Sequence, residues 1–556
     1  MQIQMTDSRR LTGPNLLLNG AGAIIDVACP NDHRQVVANL WKDELLNLLK
    51  LIGWEKETIK YRFFENGLNL AFSAELDSLY SATELNELAF HIACRKLEGE
   101  KDITANGQFE TIRQHLSDEQ NPHLQELIKL AKSKQISFLS DDETFSLGLG
   151  KYSQKWQVSQ LPHPDEVNWS KFRDIPVVFI TGSNGKSTTV RLLASILNSA
   201  GLKTGMTSTD FIRIGDQIID HGDYSGPGGA RTILRHPIAE AAVLEIARGG
   251  ILRRGLPCDC AIAAAVTNIA EDHLGDYGIT QIDEMAQTKL LVRKGLKKNG
   301  ILVINADDPV LMAELQKIDD KPEICYFSLN KTNFKHQVCL DKKSIYYTIN
   351  GETELICNVD NIPITLNGAA RHNVANAMTA IALAKANHIK NEAILRGLKR
   401  FKGDLNDNPG RGNYFKIKGM TILVDFAHNA HGMRSIVETV QAIPSSRKIL
   451  MIGQAGDRSD ADIQNLARQA AEMKPDIIII IEIAKYLRGR KSGEVPAIFR
   501  HEFEQIGYSG DQLIECDGSL NGTKKAIELG KSGDLLILFA LSDREQVFRY
   551  LRDITQ

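Results

Sequence analysis

The sequence predicts an α/β protein: two consecutive α/β domains preceded by an α+β module. Three observations carry this. From Ile175 onward, short apolar runs at 176–180, 241–246, 261–266 and 301–305 alternate with helical stretches, and runs apolar on both faces suit a parallel sheet covered on both sides. A second series, at 420–425, 448–452, 477–481 and 535–539, begins after the loop at 403–412. The chain has 556 residues, too many for one core, which stops growing at about 250–300. The predicted domains are 1–170, an α+β module; 171–405, a central domain with a parallel sheet; and 406–556, a Rossmann-like C-terminal domain.

Within the first module, Asn66-Gly67 between apolar runs predicts a hairpin, and the apolar spacing over 82–97 and 122–131 predicts helices. All four tryptophans (Trp41, Trp54, Trp156 and Trp169) lie here. The Pro-rich polar segment 160–167 reads as a linker. In the central domain, the short β-like runs over 324–367 predict a small antiparallel flap, followed by a helix over 373–386. No internal repeat or low-complexity tract is evident.

Sixty-six Lys+Arg against 69 Asp+Glu leave a net charge of -3, so the bulk field expected of a nucleic-acid or anionic-membrane binder is missing. The N-terminus lacks a basic-then-apolar leader and the apolar run around 477–481 is too short for a bilayer, from which a cytoplasmic location is expected. Eight scattered cysteines fit a reducing compartment. Cys258-Asp-Cys260 is compatible with a soft metal but, without a second cluster, reads as two thiols feeding a strand.

The strongest motif is Thr181-Gly182-Ser183-Asn184-Gly185-Lys186-Ser187-Thr188-Thr189, which follows an apolar run and opens a helical one. Glycines let backbone N–H groups close around phosphate oxygens, Lys186 offers a point charge to the β/γ-phosphates, and the Ser187 hydroxyl suits Mg²⁺. Ile180 stands where the usual GxxxxGK[ST] pattern has its first Gly, so that pattern is only partly met. Glu245 ends an apolar run, where open α/β sheets bind ligands and where a carboxylate suits a phosphate-bridging Mg²⁺; a solvated rim residue is the alternative. His273 ends the next run at a similar level, as a ligand, a helix cap or a core residue.

Taken together, the chain resembles the Mur ligase family of ATP-dependent amide ligases, on the cyanophycin-synthetase branch. The resemblance rests on TGSNGKSTT (181–189), GMTSTD (205–210), LEIARGGILRRGL (244–256), TNIAEDHLG (267–275), NADDP (305–309), GAARHNVANAMTA (368–380), NPGRGN (408–413), VDFAHNA (424–430), GDRSD (456–460) and LRGRKSGE (487–494), in family order over 175–556. RRLTGPN (9–15) gives the first module a shorter likeness to the start of that branch. No ATP-grasp stretch separates the two parts, so a two-reaction polymerase is not expected.

The resemblance implies ATP and Mg²⁺ as cofactors. Gly182, Ser183, Asn184, Gly185, Lys186, Ser187, Thr188, Asn268, Asn373, Asn376, Arg411, Asp425 and His428 would bind ATP. Ser187, Thr207, Glu245 and His273 would serve the metals, and Lys186, Glu245, His273 and Lys289 the catalysis, Lys289 standing near the position of the family's carbamylated lysine. Arg231, Arg248, Arg253 and Arg488 are substrate candidates, although such charges also occur as solvated surface pairs. The expected activity joins an amine to a carboxylate through an acyl phosphate; an aspartyl side chain with arginine is the pair the branch suggests. The expected partners are small-molecule or peptide carboxylates and amines, with no nucleic acid and no membrane, and homo-oligomers are left open. A non-catalytic, nucleotide-sensing binder of peptide or polymer and a phosphotransferase that forms no amide are the competing readings.

Overall fold

A computed structural model describes residues 3–100, 106–271, 275–427 and 429–555. The first module has a four-stranded antiparallel sheet, ordered Gln4–Leu11, Gly22–Ala28, Gly67–Ser73, Ile59–Phe64. The expected hairpin is formed by the last two strands, with Asn66 at φ 58°, a left-handed conformation Asn tolerates. Helices Arg34–Leu51 and Leu79–Leu97 cover this sheet, and the Trp41 indole donates to Asn86 Oδ1 at 2.9 Å inside the core. A second, smaller core joins helix Pro122–Ser133 to a three-stranded sheet over 138–157. The 160–167 segment contributes no strand or α-helix, and within it lies the short 3₁₀ turn Pro164–Glu166. It is nonetheless held in place, because Val167 and Phe172 are buried against Leu124, Leu127 and Phe145.

The central domain is built on one eleven-stranded sheet. Its parallel centre runs Thr204–Thr207, Ala241–Glu245, Val177–Thr181, Ala261–Val266, Leu296–Asn305, Glu323–Ser328, His336–Asp341. Apolar side chains alternate to two cores, one under helices Lys186–Ser199 and Arg371–Ala386, the other under Pro227–Leu234, Ile282–Leu290 and Pro309–Gln316. The antiparallel flap expected over 324–367 is corrected: Glu323–Ser328 and His336–Asp341 continue the parallel sheet, and only Ser344–Ile349 and Glu352–Asn358 run antiparallel at its edge. The alternation of these short runs cannot distinguish a free hairpin from a sheet edge, since both bury one face.

The C-terminal sheet is ordered Asn413–Ile417, Met420–Asp425, Leu535–Phe539, Lys448–Ile452, Ile477–Glu482, Leu513–Asp517, all parallel except the first hairpin. The two outer strands are absent from the apolar-run reading because edge strands carry polar residues, here Lys416, Glu515 and Asp517. Among the described residues no helix is long and apolar enough to cross a membrane.

The first module is seated on the central domain through the 9–15 segment. Thr12 N–H donates to Arg254 O at 2.7 Å and Leu256 N–H donates to Pro14 O at 2.7 Å, so two segments far apart in sequence pair backbone to backbone. Gly13 is required by this approach: a Cβ there would stand 2.1 Å from Leu256 O. Arg62 adds hydrogen bonds to Gly278 O at 2.9 Å and Glu284 at 2.5 Å. Gly13→Ala is therefore expected to loosen the module at a cost of about 1–3 kcal/mol, the usual penalty of overpacking. The check is faster proteolytic cleavage within 160–167 with the C-terminal sheet still protected.

Candidate active site

Strand Val177–Thr181 is central in the sheet, with neighbours reached by connections on opposite sides, which opens a crevice at its C-terminal end. There the chain turns through 182–185 into helix Lys186–Ser199. Gly182 (φ 147°) and Gly185 (φ 82°) are both positive, and a Cβ would meet Thr267 Oγ1 at 1.8 Å and Asn376 Oδ1 at 2.3 Å. The loop is held by the strand end beside it: Ser183 N–H donates to Asn268 O at 2.9 Å, Asn184 N–H to Asn268 Oδ1 at 2.9 Å, and Thr267 Oγ1 to Asn184 O at 2.6 Å. Lys186 Nζ lies across the loop on Gly182 O and Ser183 O at 3.0 and 3.1 Å. A helix N-terminus with free N–H groups and a cation over it is an anion cradle.

Glu245, on the neighbouring strand, is buried beside this cradle. Its Oε2 accepts from Ser187 Oγ at 2.8 Å, while Oε1 is buried without a partner. Burial pushes its carboxyl up, against the pull of Lys186 and the Ser187 hydrogen bond. An unpaired carboxylate oxygen next to a hydroxyl in a phosphate cradle is a donor set that fits a hard divalent cation. Thr207 is placed otherwise than expected: it is buried under the site, its Oγ1 accepting the Glu245 N–H at 3.1 Å. Thr209, two residues on, lies 3.3 Å from Ser187 Oγ and lines the cavity. Strand Thr204–Thr207 ends just before it, so the side chain at 209 is aimed by the loop, which spacing does not reveal.

Lys289, buried on helix Ile282–Leu290, donates to Gly182 O at 2.9 Å and so reaches the phosphate loop from the other side. Asn373 and Asn376 lie in the first turns of helix Arg371–Ala386, 3.2 Å apart, and face the same crevice. From the C-terminal domain come Arg411 and Asp425. Burial pushes the Asp425 carboxyl up to about 6, with Arg411 opposing. His273 and His428 lie outside the described residues.

These groups line two adjoining cavities of about 300 and 510 Å³ that share Asn184, Gly185, Thr188, Arg411 and Phe426. The first lies between Asn373, Asn376, Phe327 and the C-terminal domain, and the second spans the phosphate loop, Glu245, Lys289 and Arg248. Of the four arginines named for substrate, only Arg248 lines this site, paired with Asp276 at 2.7 Å. Arg231 turns to the first module, bonding Thr12 Oγ1 at 3.2 Å; Arg253 is exposed; and Arg488 pairs with Asp457 in the C-terminal domain. Arginines close in sequence on the short helix Arg248–Arg254 necessarily point in different directions. The Cys258 and Cys260 sulfurs stand 3.1 Å apart before strand Ala261–Val266, away from the crevice. Sequence reasoning missed Asp210, Arg544 and Phe426, which also line it.

A phosphate cradle at the switch point of one α/β domain, facing a second α/β domain across a crevice, defines a two-domain nucleotide-dependent enzyme fold. The Mur ligase middle domain model matches residues 180–384 and the Mur ligase, glutamate ligase domain model residues 410–540, together more than half of the chain, which belongs to the Mur ligase family. Its relatives include the cyanophycin synthetase of Geminocystis herdmanii, 37% identical over 66% of this chain and 42% of that one, and that of a Synechocystis species, 38% identical over 66% and 42%. The chain thus spans about two fifths of the length of these relatives. Among solved structures, E. coli FolC in complex with DHPP and ADP is similar in fold, with a TM-score of 0.51 and 18% identity over 68% of this chain and 89% of that one.

Asp425 supplies a test with a defined sign. Its native pKa lies above the ordinary 3.8, so between about pH 4 and 6 the native state holds a proton that the unfolded state has lost, and stability falls as pH rises through that window. Asp425→Asn is expected to remove about 2–3 kcal/mol of that fall, read as the difference between the two proteins' urea-unfolding free energies at pH 4 and pH 6.5.

Proposed function

We propose that the chain is an ATP-dependent carbon–nitrogen ligase that activates a carboxylate as an acyl phosphate and joins it to an amine. The observation that carries this is the second cavity, which runs on from the phosphate cradle, past Glu245 and Lys289, to Arg248. It offers room for a carboxylate next to the terminal phosphate, where a nucleotide sensor would need none.

In this reading the base and ribose of ATP occupy the cavity of Asn373, Asn376 and Asp425, and its phosphates the 182–188 loop. Lys186 and the loop N–H groups neutralise charge on the β/γ-phosphates, and Arg411 approaches them from the other domain. Phosphoryl transfer depends on alignment and charge neutralisation more than on covalent participation by the protein. Ser187 and Glu245, with Thr209 close by, would hold a divalent cation, taken as Mg²⁺, which when bound would supply further charge neutralisation at the phosphates. His273 is assigned to a second cation by its motif, and Lys289 to support of that site. An oxygen of the acceptor carboxylate, steadied by Arg248, attacks the terminal phosphorus as the bond to ADP breaks. The amine then attacks the acyl carbon, phosphate leaves, and the amine's proton is lost to give the amide. Relatives named cyanophycin synthetase support an amino-acid or peptide carboxylate with an amino acid as amine; an aspartyl side chain with arginine is the first pair to test.

ADP release measured across amino acids and Asp-containing peptides is expected to require a carboxylate and an amine together, with the amide found by mass spectrometry. Release with neither, or with the carboxylate alone at full rate, excludes the ligase. Lys186→Ala is expected to lower that turnover by about a hundredfold or more. Chelation is expected to abolish it and added Mg²⁺ to restore it; turnover that survives EDTA overturns the cation assignment.

A further inference from the structure

Arg191 lies on the helix that begins with Lys186, and its side chain is wholly buried. Its guanidinium donates to Asp210 Oδ2 at 2.5 Å and to Asn408 Oδ1 at 2.9 Å, while Asn408 itself reaches back to Thr188 Oγ1 at 3.3 Å and to Arg411 O at 3.2 Å. The phosphate-loop helix therefore grips the connection between the two domains. The second oxygen of Asp210 accepts from Arg544 Nη2 at 2.9 Å. Arg544 opens the last helix, Arg544–Asp553, and this ion pair joins the central and C-terminal domains. Burial raises the Asp210 carboxyl, but Arg191, Arg411 and Arg544 outweigh it and hold it at about 2, so it is an anion at any working pH.

Arg544 also touches the site. Its guanidinium stacks on the Phe426 ring at 4.9 Å from the centroid, and Arg411 packs on the same ring at 4.8 Å. All three line the phosphate cavity. Across the crevice, Asn184 ties the domains again, its Nδ2 lying 2.9 Å from His431 Nδ1 and its Oδ1 accepting from Asn429 Nδ2 at 3.4 Å. The C-terminal domain is thus held to the phosphate loop and its helix on two sides, by neutral hydrogen bonds at Asn184 on one and by the charged cluster of Arg191, Asp210 and Arg544 on the other.

We propose that Arg544 is a positioning residue which, by pairing with Asp210 and packing on Phe426, sets the register of the C-terminal domain on the phosphate-loop helix and aims Arg411 at the phosphates. Its consequence for turnover rests on the ligase reading; its role in domain register does not. Charge-assisted pairs of this kind fix geometry as well as energy, and a misplacement of about 1 Å costs on the order of a hundredfold in rate.

The experiment is hydrogen–deuterium exchange on the full chain, with ADP-release kinetics beside it. Arg544 is about one-third exposed, so Arg544→Gln is expected to fold. Exchange over 403–412 and 424–427 is expected to rise several-fold in Arg544→Gln, to return toward wild type in Arg544→Lys, and to stay unchanged over strand Ile477–Glu482 in both. Unchanged exchange over the hinge, or a rise that extends equally to that strand, overturns the proposal. In turnover, kcat is expected to fall about ten- to a hundredfold with the nucleotide Kd held within about threefold; a Kd that weakens as much as kcat makes Arg544 a nucleotide ligand and overturns the positioning role. A wild-type protein that releases no ADP sinks the ligase reading, and the exchange result still decides the register.

Discussion

A guanidinium without water must find its counter-charge and hydrogen bonds in the protein, and Arg191 has none of its surface exposed. Placing it one turn into the phosphate-loop helix obliges the neighbouring loop to bring Asp210 and the domain connection to bring Asn408. Asp210 is consequently ionised and has an oxygen to spare, which Arg544 takes from the other domain. The crevice is closed on this side by one buried charge and the groups it recruits. Leaving such a charge unpaired costs several kcal/mol, which is why one side chain can dictate the arrangement of three segments distant in sequence.

The same economy governs the phosphate loop. Its glycines are needed at 182 and 185 because Thr267 and Asn376 occupy the space a Cβ would take. The close approach lets Thr267 and Asn268 bond the loop backbone and leaves the helix N-terminus pointing into the cavity. Glu245 is buried with one oxygen bonded and one free, a costly state for a carboxylate that a bound cation would relieve. The first module bears on the same region at second hand: it pairs with the chain around 254–256 and with Gly278 and Glu284, segments that flank Arg248 and Lys289. It thereby restrains the far wall of the second cavity.

Much of the fold was legible because parallel strands buried on both faces are unbroken apolar runs, and these marked the centres of both large sheets. The edges were not legible: Asn413–Ile417 and Leu513–Asp517 carry the polar residues that edge strands need, and the runs over 324–367 looked like a separate flap when they extend the sheet. The site divides in the same way. Lys186, Ser187, Glu245 and Asn268 sit in short motifs whose chemistry is local. Thr209 lines the cavity where Thr207 does not, because a loop, rather than strand alternation, aims it.

By itself the sequence determined the family and the α/β fold class, since both are written in contiguous motifs and in hydrophobic period. Only the tertiary structure decided which charges matter. It kept Arg248 at the cavity, gave Arg231 and Arg488 partners elsewhere, left Arg253 exposed, and gathered Asp210, Arg411 with Phe426, and Arg544 from three stretches more than a hundred residues apart. The reason is physical: the worth of a charge is set by its burial and its neighbours, and neither is a property of the local sequence.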